Sequence, residues 1–367
     1  MSAMGHKVRI RPYDQAFVVE GEEAILDAAI RAGIPVEYGC SSGSCGQCKA
    51  RLLEGRVAPV RHQDYVFSAR ERAEGWILLC TNTAASDVVV EATSSDLSQP
   101  IPEQELTVKV RKEDRVDDGL VILQTQTPRT RRLRFRAGQY ATVSIPGVGS
   151  LDLSIASCPC DDRHLEFHVR HLEGEPVSDF VFRELRPGMS LQIRAPAGDF
   201  VLDEAAQRPM ILIAFDTGFA AIKSILEQAT AQERERQIHL YWIACGHTGH
   251  YLDNLCRSWR DALDEFTYTP LTIPDDFRDV IRSDTRVRKV IDLALERIMR
   301  DHPDLDRFDI YISAPSVVVE EARRILEASG IDPGRMRFDR VRGNREAGCL
   351  VEPAAARGAS GDPGAGR

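Results

Sequence analysis

The sequence predicts a multidomain α+β and α/β protein in which a small β-rich domain, an antiparallel β-barrel and a parallel α/β domain follow one another. Three observations carry this prediction. Four cysteines fall as C-x4-C-x2-C with a distant fourth in the first quarter of the chain. Residues 105–205 are cut into short alternating strands by Gly and Pro, and from Arg208 onward apolar strand-like runs alternate with helical ones.

Each segment has its own pattern. Within residues 1–92, HKVRIRP and QAFVVEG alternate as a hairpin does, ILDAAIRAG reads as a helix ending at Gly33, and KARLLEGRV and VVVEA supply later strands. Residues 93–104 form a linker by their Ser, Pro and Gln content. In 105–205, LTVKVRK, GLVILQTQ, ATVSIPG, HLEFHVRH and SLQIRA are barrel strands. The stretch RTRRLRFR alternates too, which sets Arg132, Arg134 and Arg136 opposite Leu133 and Phe135 and reads as a solvated strand face. In 206–345, PMILIAF, QIHLYWIAC, a third strand after DALDEF, and FDIYISAP are parallel strands, with helices over residues 217–232, RKVIDLALERIMRDHP and VVVEEARRILEASG between and after them. Residues 346–367 are Pro/Gly/Ala-rich and read as a disordered tail.

Composition bounds the function. The 367 residues carry 43% hydrophobic and 28% charged side chains and a net charge of −9, which opposes nucleic acid as the main partner because phosphate binding favours a basic balance. The apolar runs are too short to span a membrane, and the polar N-terminus lacks a signal-peptide core, so a cytoplasmic protein is expected.

Cys40, Cys45, Cys48 and Cys80 are the candidate metal ligands. Their spacing is that of a plant-type [2Fe–2S] site, and Gly39, Gly43 and Gly46 allow backbone N–H groups to turn toward it. Zinc sites more often present two short pairs, whereas this chain offers three close ligands and one remote. Cys158 and Cys160 flank a proline at a spacing poor for a metal or a redox pair and read as structural residues. Cys245, His247, His250 and Cys256 lie close in sequence but lack a second ligand pair, so they read as an incidental loop.

The order of hairpin, helix, cysteine loop and late cysteine resembles the β-grasp ferredoxin family. With GQY, PAGDF and the TG turn after PMILIAF, residues 6–342 resemble the ferredoxin–NAD(P)H reductase superfamily, in the subgroup with an N-terminal plant-type ferredoxin. Oxygenase reductase components and CDP-6-deoxy-glucoseen reductases are the nearest groups. The resemblance implies a [2Fe–2S] cluster, FAD on an FAD-domain-like barrel and NAD(P)H on a nucleotide-binding-like α/β domain, with Ser154, Ser178 and Gly218 as the positions matching the family's cofactor motifs.

The chain departs from those motifs. Leu151 and Leu153 stand where the family has a phosphate-binding arginine and a ring-stacking tyrosine, and Glu175 replaces a glycine at a helix start. Phe215 and Asp216 replace two glycines of the dinucleotide turn; Ile243 replaces a glycine, Cys245 an arginine of the adenosine end, Ser313 a cysteine by the nicotinamide and Val341 the aromatic ring cover. The expected function is therefore a [2Fe–2S] electron-transfer protein with flavin and nicotinamide use lost, exchanging single electrons with a protein donor and acceptor such as an oxygenase, a dehydratase or another redox protein. Two alternatives stand beside it: an FAD-dependent NAD(P)H:acceptor reductase, and a cluster-based redox sensor.

Overall fold

The computed structural model describes residues 5–341 apart from Tyr13, Pro35, Ser41, Glu173 and the segments 93–100, 232–235, 246–248 and 274–283; the side chains of Cys245, Asp284 and Val287 are also outside the described set. Most of the linker, all of the tail, Cys349 and His247 lie outside the described residues.

The N-terminal hairpin forms as its alternation requires. β1 (His6–Arg11) pairs antiparallel with β2 (Gln15–Val19) and parallel with β7 (Val88–Ala92), and the sheet order β2-β1-β7-β3-β5 is completed by β3 (Lys49–Glu54) and β5 (Trp76–Leu78). β4 (Val57–Pro59) and β6 (Asn82–Ala84) make a small separate ladder. Helix α1 (Ile25–Arg31) buries Ile25, Leu26, Ala28 and Ala29 against Val8, Ile10, Val88 and Val90. Burying one such aliphatic side chain contributes about 1.5–3 kcal/mol. Short α2 (Ala69–Ala73) begins with a capping box in which Ser68 and Glu71 satisfy each other's backbone N–H.

The barrel sheet runs β11-β10-β13-β8-β9-β12, all antiparallel. Its strands are β8 (Gln104–Asp117), β9 (Leu120–Gln126), β10 (Tyr140–Ile145), β11 (Gly149–Ser154), β12 (His164–Arg170) and β13 (Ser190–Ala197), with α3 (Pro176–Arg183) packed on it through Val177, Val181 and Phe182. The Arg-rich stretch is a correction. It is extended but pairs with no strand; Leu133 and Phe135 enter the barrel core as the alternation requires, yet Arg132 is held in an ion-pair seam rather than solvated.

The third sheet is wholly parallel, in the order β16-β15-β14-β17-β18. Its strands are β14 (Met210–Phe215), β15 (Ile238–Cys245), β16 (Phe266–Ile273), β17 (Asp309–Ala314) and β18 (Met336–Arg340). Ile211, Ile213 and Phe215 face a layer with α6 (Asp284–Asp301) and α7 (Ser316–Ala328); Met210, Leu212 and Ala214 face one with α4 (Phe219–Ala231) and α5 (Asp253–Ala262). Burial on both faces explains why these strands read as continuous apolar runs. The chain reverses its strand order between β14 and β17, and the carboxyl ends of that pair are where open α/β sheets take ligands.

The barrel and the parallel sheet share a seam. Phe200, Leu202 and Ala137 pack among the α4 and α5 core residues. Lys223 on α4 meets Glu227 at 2.6 Å, Glu166 of β12 at 3.3 Å and the carbonyl of Ala156 at 3.2 Å, and buried His168 contacts Glu166 at 2.9 Å and the Tyr251 hydroxyl at 2.8 Å. Burial would raise the Glu166 carboxyl, but His168 and Lys223 outweigh it and hold it down at about 2. A depressed carboxyl stabilises the fold above its unfolded value and loses that contribution as pH falls toward its folded one. The stability gap between the wild type and Glu166→Gln should therefore close as pH falls from about 4.3 to about 2. Denaturant melts at a series of pH values check this, and a gap that stays constant would contradict it.

Candidate functional site

The cysteine loop is built around a tight approach at Gly46. Gly46 has φ +75°, and a Cβ there would lie 2.3 Å from the Tyr65 ring, so only glycine lets the loop close. The chain then enters β3 directly, which fixes Cys48, while Cys80 follows β5 with the Leu79 N–H donating to the Cys48 carbonyl at 3.0 Å. Cys40, Cys48 and Cys80 are buried and Cys45 is exposed.

The four thiols associate as two pairs, Cys40 with Cys45 and Cys48 with Cys80. The Cys45 N–H points at Cys40 Sγ at 3.4 Å, the Ser44 hydroxyl at the same sulfur at 3.6 Å, and the Gln47 N–H at Cys45 Sγ at 3.4 Å. Burial opposes the Cys40 thiolate, yet the Cys45 thiol, with the Cys45 N–H and the Ser44 hydroxyl, brings Cys40 down to about 6; the Cys80 thiol donating to Cys48 lowers Cys48 in turn. Cys80, as donor to Cys48, is shifted up. Among the described residues no three His, Cys, Asp or Glu side chains converge on one single-ion position. Two thiol pairs, one of them facing N–H donors, suit a two-iron centre, and such donors are of the kind that tunes its potential. Beside Cys45 a cleft of about 330 Å³ opens between loop and barrel, lined by Tyr38, Gly39, Gln47, Arg131 and Arg134 among others.

Ser154 and Gly218 lie against residues at the carboxyl ends of β17 and β18, while Ser178 is buried at the start of α3. Gly218 lies in a 3-10 turn after β14, where a Cβ would fall 2.2 Å from the Ser313 carbonyl oxygen. The Ser313 hydroxyl donates to Asp339 at 2.7 Å and that of Ser154 to the same oxygen at 3.5 Å. Ser178 accepts from the Leu172 N–H at 2.8 Å and donates to the Arg170 carbonyl at 3.2 Å, so it shapes the backbone before α3.

Both substituted carboxylates have partners there. Glu175 caps α3, accepting from the Val177 N–H at 3.2 Å and the Ser178 N–H at 2.5 Å. Asp216, 1% exposed at φ +50°, makes a two-point ion pair with Arg170 at 2.5 and 3.2 Å, and its carbonyl accepts from the Trp242 indole at 3.0 Å. This corrects the expectation of a bare repelling charge: Asp216 is neutralised across the seam. Its left-handed backbone is one that Asp tolerates and that the pair fixes. Leu151 and Leu153 lie in the barrel core and offer neither charge nor ring. Ile243 lines a cavity of about 440 Å³ at the carboxyl ends of β15 and β16, with Leu271, Ile273 and Val290 and two cations, Arg286 and Lys289. Val341 donates its N–H to the Ala314 carbonyl at 3.0 Å beside the same sheet.

The helix start of α3 and the Arg170 guanidinium are donors suited to an anion. Carboxylates of the chain itself occupy both donors, Glu175 the α3 N–H groups and Asp216 the Arg170 guanidinium, so each would have to yield before a pyrophosphate took its place. Elsewhere, Cys158 and Cys160 form a disulfide rather than remaining thiols, because Pro159 turns the chain and leaves their Cα atoms 5.1 Å apart. His250 pairs its Nε2 with the Trp242 carbonyl at 2.8 Å, a structural use.

Known proteins share these parts. A family model described as a 2Fe-2S iron-sulfur cluster binding domain matches residues 8–85, and one described as an oxidoreductase FAD-binding domain matches residues 107–202. Reductase component 2 of terephthalate 1,2-dioxygenase from a Comamonas species is 34% identical over 270 residues, covering 72% of this chain and 78% of the relative. The CDP-6-deoxy-L-threo-D-glycero-4-hexulose-3-dehydrase reductase of Yersinia pseudotuberculosis is 28% identical over 87% of this chain and 93% of its own length. In fold, the chain is similar to the Amycolatopsis cytochrome P450 reductase GcoB, with a TM-score of 0.57, 24% identity, and coverage of 92% of this chain and 99% of that one. The chain belongs to the ferredoxin–NAD(P)H reductase superfamily, in the group with an N-terminal [2Fe–2S] domain that contains reductase components of oxygenase and dehydratase systems. Loss of flavin and nicotinamide use is not supported by these likenesses, which favour the reductase alternative. Among the described residues no helix is long and apolar enough to cross a membrane.

Proposed function

We propose that the chain is a reductase component that delivers single electrons through a [2Fe–2S] cluster held by Cys40, Cys45, Cys48 and Cys80 to a protein partner, an oxygenase or a dehydratase. The observation that carries this reading is the pairing of the four thiols in a loop of N–H donors, on the same chain as the barrel and parallel sheet. When bound, FAD supplies the division of a hydride's electron pair into single electrons, NAD(P)H being the hydride source and the cluster the one-electron carrier.

The chain's own residues hold, orient and insulate. Cys48 and Cys80 anchor the site from buried positions, and exposed Cys45 marks the edge at which an electron passes to the partner. The α3 N–H groups and Arg170 would take the flavin pyrophosphate, with Ser178 keeping the helix start in shape and Ser154 at the ring side. Gly218 lets the turn after β14 approach Ser313, so that a dinucleotide can lie along the sheet edge. On this reading the cluster domain ends near residue 92, the barrel near 205 and the α/β domain near 345.

Anaerobic titration tests the proposal. Protein purified without air and supplied with FAD should show its cluster absorption bleached by stoichiometric NADH or NADPH. Persistence of the oxidised spectrum, with bleaching only by dithionite or a separate donor protein, would instead favour a relay that takes no hydride.

A further inference from the structure

Arg132 lies at the seam between the cluster domain and the barrel, with its side chain only 12% exposed. Its guanidinium meets Asp162 at 2.8 Å and Asp27 of α1 at 3.5 Å. Asp27 is also paired with Arg61, which donates from its other terminal nitrogen to the Cys80 carbonyl at 3.3 Å. One continuous set of charged contacts thus runs from the backbone of a proposed ligand cysteine through Arg61, Asp27 and Arg132 to Asp162. At its far end Asp162 is 1% exposed, and its Oδ2 has no hydrogen-bond partner. The Tyr38 phenol lies against that carboxylate and, like Arg132, favours its charged form, Arg134 stands 5.5 Å from the Tyr38 ring, and Asp161 is the neighbouring charge on the same loop.

We propose that Asp162 takes up a proton when the cluster site takes up an electron, compensating the added charge across the domain seam. The step balances simply: one electron comes from a one-electron donor, one proton comes from water, and the Asp162 carboxylate becomes neutral while nothing else is oxidised or reduced. A buried carboxylate with an unsatisfied oxygen gains from protonation, because its charged form is the one that lacks solvation. Burial pushes the Asp162 carboxyl up to about 6 despite the pull of Arg132, so at neutral pH it is charged but near its titration range. A further negative charge felt through contacts of low dielectric moves it higher. Where proton uptake accompanies reduction, the midpoint potential must fall as pH rises; below about 6 the acid is protonated in both states and the potential levels off. The inference rests on the proposed cluster and not on flavin use.

The test is an anaerobic spectroelectrochemical titration of the cluster-loaded protein at pH values below and above about 6. The wild type should give a potential that is flat at low pH and falls above it, Asp162→Asn a flat one throughout, and Asp162→Glu a restored slope. A wild-type potential independent of pH overturns the proposal whatever the variants do, and so does an undiminished slope in folded Asp162→Asn. If Asp162→Asn does not assemble, Asp27→Asn interrupts the contacts while leaving Asp162 in place; its slope should weaken, and an unchanged slope counts against the proposal. Because dithionite alone poises the cluster, failure of NADH to reduce it leaves this result readable.

Discussion

Serine in place of Cys48 or Cys80 is expected to leave the protein without a stable [2Fe–2S] cluster, the largest effect of any single substitution in the chain. Both thiols are buried and lie in the same pair, so a serine there has no water to replace the lost metal bond. An unsatisfied buried hydroxyl adds about 1–3 kcal/mol of cost. Cys40→Ser should behave similarly, since its sulfur is the acceptor for the Cys45 N–H and the Ser44 hydroxyl. Cys45→Ser should be the mildest, because that position is exposed and a serine oxygen there stays solvated. Iron and sulfide analysis with visible absorption after anaerobic purification reads the series. Full iron and sulfide in Cys48→Ser, or zinc in the wild type, would remove the basis of the proposed function.

Glu175→Gly is expected to raise FAD affinity by roughly a hundredfold. The Glu175 carboxylate holds the N–H groups of Val177 and Ser178, the donors that the family resemblance offers to the flavin pyrophosphate. Two unit charges about 4 Å apart at an effective dielectric near 20 repel by about 4 kcal/mol, roughly a thousandfold in affinity. Replacing the cap by glycine costs only a few tenths of a kcal/mol of helix stability, whereas solvent screening of this half-buried carboxylate trims the gain. Asp216→Gly should act in the same direction on a dinucleotide but lower the stability of the free protein, since it removes the two-point ion pair made to the buried Arg170 guanidinium; breaking such a pair costs about 3–5 kcal/mol. Fluorescence titration of FAD against both proteins, with thermal melts in parallel, distinguishes the effects. Equal FAD affinity in wild type and Glu175→Gly would mean that the carboxylate does not compete for the cradle.

The sequence alone determined the three-part fold, because each part is written in a local period. Alternation of two fixed β1, β2 and the barrel strands, continuous apolar runs fixed β14 and β17, and the helical stripe fixed α4, α6 and α7. The cysteine spacing was equally legible, since a binuclear site needs three ligands within one short loop. β11 and β18 were harder to find: LDLS reads as a cofactor motif first, and MRFDR carries too few apolar residues to mark a strand. Other features depended on contacts between residues far apart in the chain. Alternation placed Leu133 and Phe135 correctly inside but could not show that Arg132 meets Asp27, 105 positions away. Likewise Asp216 reads as a charge that repels phosphate until β12 brings Arg170 against it, 46 positions earlier. Periodicity reports which face of an element is buried. The sign, partner and titration of a buried charge are decided only when tertiary packing removes water and sets another element's charge opposite it.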